Sequence, residues 1–363
     1  MHKLQLLNVR LHGQLVGKLA LTPDYVCAFE YDTDYIKTGV SISPFHLPLK
    51  PGVFQAKLRP FDGNFGVFDD SLPDGWGSLL LDRFLRNRGT EPQSLSILQR
   101  LSIIGNTGRG ALEYDPVSPL VNEQVNRSTL SELAQEAELL LGTQNGNTPE
   151  KLDELYLVGG SSGGAQPKVF VTREGKEWLV KFKASIDPPN IGEIEYRYSL
   201  LAKQCGIDMP ETRLFEGKYF ATQRFDRNGS EKYHVVSAGG LLHADYRIPS
   251  LDYQVLLAAC FKLTRNMDEV IKLFRLMVFN VLIGNKDDHA KNFAFILRGK
   301  DWFLSPAYDL LPSNGFGNQH TTTVNNSGRP KRSDIFQVAD LAGIPKTKAK
   351  EVVECIENGL RNF

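Results

Sequence analysis

The chain has few cysteines, no long apolar run and no excess of charge of either sign. Its four cysteines lie far apart and form no C-x-x-C pair, which argues against a disulfide framework or a zinc site. The longest apolar run, residues 277–283, is far too short to cross a bilayer. The amino terminus lacks the apolar core and cleavage site of a signal peptide. We therefore expect a cytoplasmic protein with reduced thiols.

The charge balance excludes a simple electrostatic argument for a partner. Lys plus Arg and Asp plus Glu number 42 each, so the net charge points to neither nucleic acid, nor a membrane surface, nor an acidic substrate. The hydrophobic fraction of 41% and the charged fraction of 23% are ordinary for a globular protein. A length of 363 residues predicts two or three domains.

The hydrophobic pattern predicts strands first and helices second. Alternation predicts a small β-meander over residues 3–31, and further strands at 168–172, 178–182 and 219–225. Helical periodicity covers residues 77–87, 129–141, 191–203, 252–263 and 267–284, and the chain from residue 251 onward looks helical. This order predicts an α+β, bilobal architecture with domains at 1–115, 116–226 and 227–363, although the first boundary is loose, near 115–150.

The chemistry-bearing residues concentrate in two short stretches, 285–292 and 305–309. Asp287 and Asn292 are five positions apart, the D-x-x-x-x-N spacing of a kinase catalytic loop, and Asp309 follows downstream as a metal-holding Asp does. Phosphoryl transfer requires one carboxylate to orient a hydroxyl, and an Asn and a second Asp to hold Mg²⁺ on the phosphates. A plain polar loop is the alternative, because Asp and Asn are common in turns.

Three upstream elements could complete a nucleotide site. Residues 158–168 contain four glycines, whose backbone N–H groups can approach phosphate oxygens; a surface turn is the alternative. Lys181 lies within a predicted strand and Glu195 within the next helix, as in kinases, although each could also be solvated. Gln223 and Phe225 stand where a hinge could contact adenine, and an ordinary strand end is equally compatible.

The order of these elements favours a kinase over two other chemistries. Asp288 and His289 are accompanied by no H-x-x-x-H or H-E-x-x-H motif, which argues against a zinc enzyme. No G-x-S-x-G elbow supports a serine hydrolase.

Several motifs resemble those of the HipA-like serine/threonine protein kinases, the toxins of type II toxin–antitoxin modules. Residues 161–168, SSGGAQPK, resemble the family's S-x-x-G-x-Q-x-K loop, and residues 285–293 its N-x-D-x-H-x-K-N-F loop. Residues 306–309 match P-x-Y-D, and residues 224–227 match the R-F-D-R hinge. Residues 68–74, FDDSLPD, are similar to a motif of the family's N-terminal domain.

The resemblance implies a kinase-like fold that uses ATP and Mg²⁺. It implies that Asp287 is the catalytic base, with His289 near the γ-phosphate, and that Asn292 and Asp309 hold the metal. Nucleotide contacts would come from Gly163, Gly164, Ala165, Gln166, Lys168, Lys181, Glu195, Gln223 and Phe225. Ser161 falls on the loop serine that such kinases autophosphorylate, and the adjacent Ser162 leaves the phosphosite open. A phosphate there should repel ATP and inactivate the enzyme.

The resemblance also implies partners and leaves alternatives. A small helix-turn-helix antitoxin would be bound, with DNA contacted through it, and the protein substrate would be a translation component such as an aminoacyl-tRNA synthetase. Asp288 replaces a glycine of the best-known members, and could lie near the metal or face solvent. A small-molecule kinase and a catalytically silent nucleotide-binding partner of an antitoxin remain the other interpretations.

Overall fold

The N-terminal part of the chain forms an antiparallel sheet with strand order β4-β3-β2-β1-β5. In this computed structural model, which describes residues 4–119, 128–142 and 150–363, the strands are β1 (Leu6–Leu11), β2 (Gln14–Leu21), β3 (Cys27–Tyr31), β4 (Val53–Gln55) and β5 (Leu112–Asp115). Leu7, Val9 and Leu11 alternate along β1 and are all buried, because successive side chains of a strand point to opposite faces. The predicted meander is confirmed.

Among the described residues, six helices lie in the chain between β3 and the second sheet: α1 (Thr33–Thr38), α2 (Gly66–Asp69), α3 (Gly75–Asn87), α4 (Ile97–Ile104), α5 (Leu130–Gly142) and α6 (Leu152–Gly159). The predicted start of α5 is confirmed, because the Thr129 hydroxyl accepts the Glu132 N–H at 3.2 Å and the Glu132 carboxylate accepts the Thr129 N–H at 2.7 Å. The loose domain boundary expected near 115–150 falls partly on residues 120–127 and 143–149, outside the described residues.

A second antiparallel sheet, in the order β6-β7-β9-β8, follows along the chain. Its strands are β6 (Lys168–Arg173), β7 (Lys176–Lys181), β8 (Thr212–Phe215) and β9 (Tyr219–Gln223). A short hairpin of β10 (Arg227–Asn228) and β11 (Glu231–Lys232) follows them in the chain. Trp76 and Leu80 of α3 share one buried core with Trp178 and Val180 of β7. Helix α3 therefore packs with the second sheet, far from it in sequence.

A buried ion network closes the end of this sheet. The Asp226 carboxylate accepts hydrogen bonds from the guanidinium groups of Arg224 (2.8 Å) and Arg227 (2.9 Å) and from the Gly110 N–H (2.8 Å). Arg227 also donates to the Gly108 carbonyl at 2.9 Å. Burial alone would raise the pKa of Asp226, but the two cations and the N–H group lower it below its ordinary value.

The remaining helices are α7 (Ile191–Gln204), α8 (Ala238–Leu242), α9 (Tyr253–Thr264), α10 (Met267–Ile283), α11 (Arg332–Leu341) and α12 (Lys346–Arg361). Between them lie β12 (His234–Ser237), β13 (Leu251–Asp252), β14 (Ala294–Arg298), β15 (Asp301–Leu304) and β16 (Thr322–Thr323). The expectation of an all-helical chain after residue 251 is wrong in part. Gly299, with φ +63°, makes the tight turn of the β14–β15 hairpin.

The chain divides into two compact units. Unit 1 contains residues up to Ile42, Leu47–Ile194 and Thr212–His234; unit 2 contains Ser43–His46, Glu195–Glu211 and Val235–Phe363. The mixture of helices and sheets confirms the predicted α+β class, whereas the bilobal arrangement stays a prediction. Among the described residues, no helix combines the length and apolar character that a membrane span requires.

Candidate active site

The predicted catalytic loop of unit 2 directly follows helix α10 in the chain. The helix begins where the Asn266 side chain accepts the Asp268 N–H, and it ends at Gly284, whose φ of +72° reverses the chain. The buried Asn285 follows at once, and its side-chain amide donates to Asn280 Oδ1 and to the Asp309 carbonyl, each at 3.1 Å. Asn285 thereby joins the predicted catalytic loop to the predicted metal loop.

The backbone around Asp287 is held by hydrogen bonds on both sides. Ser313 Oγ accepts the N–H groups of Lys286 at 3.0 Å and Asp287 at 2.8 Å, and Asn292 Nδ2 donates to the Asp287 carbonyl at 2.7 Å. The Asp287 side chain itself is exposed. A rigid peptide thus presents one carboxylate to solvent. The role of Ser313 was missed by sequence reasoning, because no local pattern marks it.

The surroundings of Asp287 raise the pKa of its carboxylate above the ordinary value. Although Asp287 is exposed, the surrounding protein removes part of its hydration and raises its pKa; the charges of Asp309 and Asp288 raise it further, while His289 acts in the opposite direction. Asp309 has a left-handed backbone, φ +55°, which Asp tolerates better than most residues. A bound cation would reduce the repulsion between the carboxylates of Asp287 and Asp309.

The donor set fits Mg²⁺ held jointly with phosphates. Asn292 uses its Nδ2 to bond the Asp287 carbonyl, which leaves Oδ1 as an acceptor for a metal ion. Within the described ranges, no group of three or more His, Cys, Asp or Glu side chains forms a complete protein cage for a metal. Mg²⁺ is usually bound through one or two carboxylates plus substrate phosphates and water, so Asn292 and Asp309 are suitable residue types for such a site.

His289 begins the short turn Ala290–Asn292 and has a defined tautomer there. Its Nδ1 accepts the Lys291 N–H at 3.2 Å, so in the neutral ring the proton lies on Nε2. Tyr308 donates its hydroxyl to the Lys291 carbonyl at 2.7 Å, which adds a second link between the two loops. These bonds connect the loop that carries Asp287, His289 and Asn292 to the loop that carries Asp309.

Asp288, whose role the sequence left open, does not face solvent. Its side chain is fully buried and accepts hydrogen bonds from Tyr253, His320 and the backbone of Thr321 and Thr322. With these acceptor positions filled, the carboxylate is not available to a metal ion either. Exposure to solvent is therefore the wrong interpretation of Asp288, whereas a place near the metal stays a prediction.

The glycine-rich loop of unit 1 lies against the turn that begins α3. The Asp74 carboxylate accepts the Gly164 N–H, and the Trp76 N–H donates to the Gly164 carbonyl at 2.8 Å. The Lys168 ammonium donates to the Gly163 carbonyl at 2.6 Å, within the loop itself. Sequence reasoning missed the contact between Asp74 and Gly164, because these residues are 90 positions apart in the chain.

The two loop serines differ in exposure. Ser162 is buried, and its hydroxyl donates to the Gly159 carbonyl at 2.6 Å. Ser161 is half-buried. The structure therefore separates two residues that the sequence could not distinguish.

Lys181 and Glu195 are both buried, so a solvated surface lysine and a solvated glutamate are the wrong description. Lys181 is the last residue of β7, in unit 1, and its ammonium lies 5.7 Å from the centre of the Phe220 ring. Glu195 lies on α7 and belongs to unit 2. Burial of ionisable side chains is uncommon without a function or a partner.

The predicted hinge begins at the end of β9. Gln223 is the last residue of that strand and pairs with Trp178 of β7. The next N–H, of Arg224, donates to the Glu177 carbonyl at 2.8 Å. Phe225, the residue after Arg224, is half-buried. The ion network at Asp226 fixes this segment, whereas contact of Gln223 and Phe225 with adenine stays a prediction.

Comparison with known families decides the classification. Residues 7–115 match the family model described as the HipA N-terminal domain, and residues 160–362 match the HipA-like C-terminal domain. The chain belongs to the HipA-like family. The predicted resemblance is confirmed over both segments.

Individual relatives of this HipA-like chain agree with the classification. Y4dM of Sinorhizobium fredii, named as a candidate kinase, is 25% identical over 394 residues, covering 100% of this chain and 91% of the relative. The toxin YjjJ of Escherichia coli is 26% identical over 171 residues, 43% of this chain and 39% of that protein. The HipA of Shewanella oneidensis, solved with HipB and operator DNA, superposes with a TM-score of 0.72 at 19% identity, covering 98% and 91% of the two chains. This last likeness shows a shared fold.

Proposed function

We propose that this HipA-like chain is an ATP-dependent protein serine/threonine kinase and the toxin of a toxin–antitoxin module. The observation that carries the proposal is the exposed Asp287 carboxylate on a fully hydrogen-bonded peptide, with its pKa raised partly by Asp309. Catalytic groups are commonly found where burial and like charges perturb a pKa. The names of the relatives, candidate kinase and toxin, support the same function.

In the proposed reaction, Asp287 orients the hydroxyl of a protein Ser or Thr. The hydroxyl oxygen forms a bond to the γ-phosphorus of ATP while the bond to the β,γ-bridging oxygen breaks, and ADP leaves with that electron pair. Asp287 accepts the hydroxyl proton. The raised pKa of Asp287 suits this role, because a stronger base takes the proton more readily.

Two residues of unit 2 would hold the metal ion. Asn292 Oδ1 and the Asp309 carboxylate would bind Mg²⁺, which when bound neutralises charge on the transferred phosphoryl group. Asn285 keeps these ligands in register with Asp287, since it donates to the Asp309 carbonyl from the first position of the loop. His289 would donate from Nε2 to a phosphate oxygen, because its Nδ1 is already an acceptor.

Unit 1 would supply the nucleotide contacts. The N–H groups of Gly163, Gly164 and Ala165 would approach the phosphates, as glycine-rich loops permit. Lys168, Lys181 and Gln166 would add charge and hydrogen bonds there. In the present conformation the Gly164 N–H and the Lys168 ammonium bond to the protein itself, so nucleotide binding would exchange those bonds.

The partners and substrate are proposed by analogy with the family. We propose a helix-turn-helix antitoxin as the partner, with DNA bound through it, because the Shewanella HipA was solved with HipB and operator DNA. The substrate would be a translation component such as an aminoacyl-tRNA synthetase. Its phosphorylation would block the target's own nucleotide site and stop growth.

Incubation with γ-labelled ATP and Mg²⁺, followed by mass spectrometry, tests the proposed activity. We expect phosphate on the chain itself at Ser161, because Ser162 is buried with its hydroxyl bonded to Gly159. Ser161→Ala should abolish the self-phosphorylation, and Ser162→Ala should leave it. Label on aminoglycoside-like small molecules and not on protein would favour a small-molecule kinase. ATP binding without any transfer would favour a silent nucleotide-binding partner.

Replacing Gly75 with alanine should weaken ATP binding about tenfold or more. Gly75 has φ +45°, and a Cβ there would collide with the Gly164 carbonyl oxygen, so the glycine-rich loop would have to move. Titration with a fluorescent ATP analogue measures the affinity. Gly13→Ala is the matched control, because Gly13 has φ +76° but open space around it. Equal affinity in both variants would contradict a role for the α3 turn.

A further inference from the structure

The carboxylate of Asp288 is the centre of a buried polar network in unit 2. Its two oxygens accept the Tyr253 hydroxyl and His320 Nδ1, each at 2.9 Å, and the N–H groups of Thr321 at 2.9 Å and Thr322 at 3.2 Å. The side chain has no solvent exposure. A buried carboxylate is costly unless hydrogen bonds compensate it, and here four donors do so.

The network continues from Asp288 to the end of α10. The Tyr253 hydroxyl accepts from Asn280 Nδ2 at 3.1 Å, and Asn280 Oδ1 accepts from Asn285 Nδ2 at 3.1 Å. Tyr253 begins α9 and Asn280 lies in the last turn of α10. One chain of hydrogen bonds therefore connects two helices to both ends of the segment 285–288. Such a network is rigid when every member is satisfied.

The same contacts hold both neighbours of Asp287. The Lys286 carbonyl accepts the Thr321 N–H at 3.1 Å and the Thr321 hydroxyl at 3.0 Å. The Asp288 carbonyl accepts the Thr322 hydroxyl at 2.5 Å. Residues 321–322 thus bind the peptide on each side of Asp287 without touching its carboxylate. The backbone of Asp287 is therefore held in place from both sides.

We propose that Asp288 is a positioning residue for phosphoryl transfer, with Thr322 as its essential partner. This inference rests on the proposed function of Asp287. Asp288 holds the loop so that the Asp287 carboxylate stands at a fixed place relative to Asn292 and Asp309. Correct placement of a reacting group lowers a barrier substantially, and a misplacement of about 1 Å can cost on the order of a hundredfold in rate.

Thr322→Val and Thr322→Ser form the decisive pair of variants. Valine keeps the shape of threonine but loses the hydroxyl that donates to the Asp288 carbonyl, whereas serine keeps that hydroxyl. We expect kcat to fall about tenfold in Thr322→Val and to return close to the wild-type value in Thr322→Ser. KM for ATP should stay close to the wild-type value in both, because the Thr322 hydroxyl bonds to the Asp288 carbonyl, which is not one of the proposed nucleotide or metal contacts. Asp288→Ala should have a larger effect on kcat, of about a hundredfold.

Hydrogen exchange without nucleotide gives a readout that does not depend on activity. The amides of residues 286–288 should exchange about tenfold faster in Thr322→Val than in Thr322→Ser, with α9 and α12 unchanged. Unchanged exchange at 286–288, or an unchanged kcat in an active enzyme, would overturn the positioning role. A wild type that transfers no phosphate, together with faster exchange in Thr322→Val, would overturn the proposed kinase function and leave the control of this loop by Asp288 standing.

Discussion

Asp287→Asn should reduce phosphoryl transfer by about 10²–10⁴-fold and remove growth inhibition when the chain is expressed. Asparagine has nearly the same shape, and the bonds from Ser313 and Asn292 go to the backbone, so the loop geometry should survive. What is lost is the base that accepts the hydroxyl proton, and general base catalysis contributes about this factor. Growth curves and transfer of γ-labelled phosphate measure the two effects.

The same variant should be no less stable than the wild type. The folded protein raises the pKa of Asp287, so any stability that its protonation contributes is present below the ordinary pKa and is lost as the pH rises through the raised one. At neutral pH the ionised side chain is therefore unfavourable, and asparagine removes that cost. Asp24→Asn, at an exposed turn, is the matched control. Growth inhibition by Asp287→Asn equal to that of the wild type would rule out Asp287 as the base.

Asp226→Ala should lower the free energy of unfolding by about 3–5 kcal/mol. The change leaves Arg224 and Arg227 buried without their shared carboxylate, and breaking a buried ion network by removing one partner has this effect. Because the pKa of Asp226 is lowered, its stabilisation is present at neutral pH and disappears as the pH falls through the lowered value. Urea denaturation measures the change.

Asp34→Ala provides the comparison for that experiment. Asp34 forms an ion pair with Lys37 at 2.7 Å, but both side chains are largely exposed and the pair should contribute little. Similar losses of unfolding free energy in the two variants would show that the buried Asp226 network stabilises the protein no more than an exposed ion pair does. Faster hydrogen exchange at residues 108–110 in Asp226→Ala alone would locate the effect, since Gly108 and Gly110 bond to the network.

Local patterns were sufficient for most helices and strands. The alternation in β1 and β2, the paired strands β6 and β7, and the apolar helix α10 were all predicted within a few residues of their observed ends. The hairpin of β14 and β15 was missed, because its strands are nearly continuous apolar runs. Such runs do not distinguish a buried strand from a buried helix.

The candidate site was predictable only where its residues are neighbours in sequence. Asp287, His289 and Asn292 share one loop, so their spacing carried the information. The partners of Asp288 come from residues 253 and 320–322, and no short pattern connects them. The contact of Asp74 with the glycine-rich loop spans 90 residues. The Asp74 contact lies where α3 and β7 share a core, which no short sequence pattern displays.

The bond between Asp288 and Thr322, 34 residues later in the chain, has a consequence for synthesis. Translation proceeds from the amino terminus, so residues 285–288 leave the ribosome well before residues 320–322. A nascent chain would therefore contain Asp287 but lack the segment that fixes its peptide. In the proposed toxin, the peptide of Asp287 would therefore be positioned only after residues 320–322 have emerged.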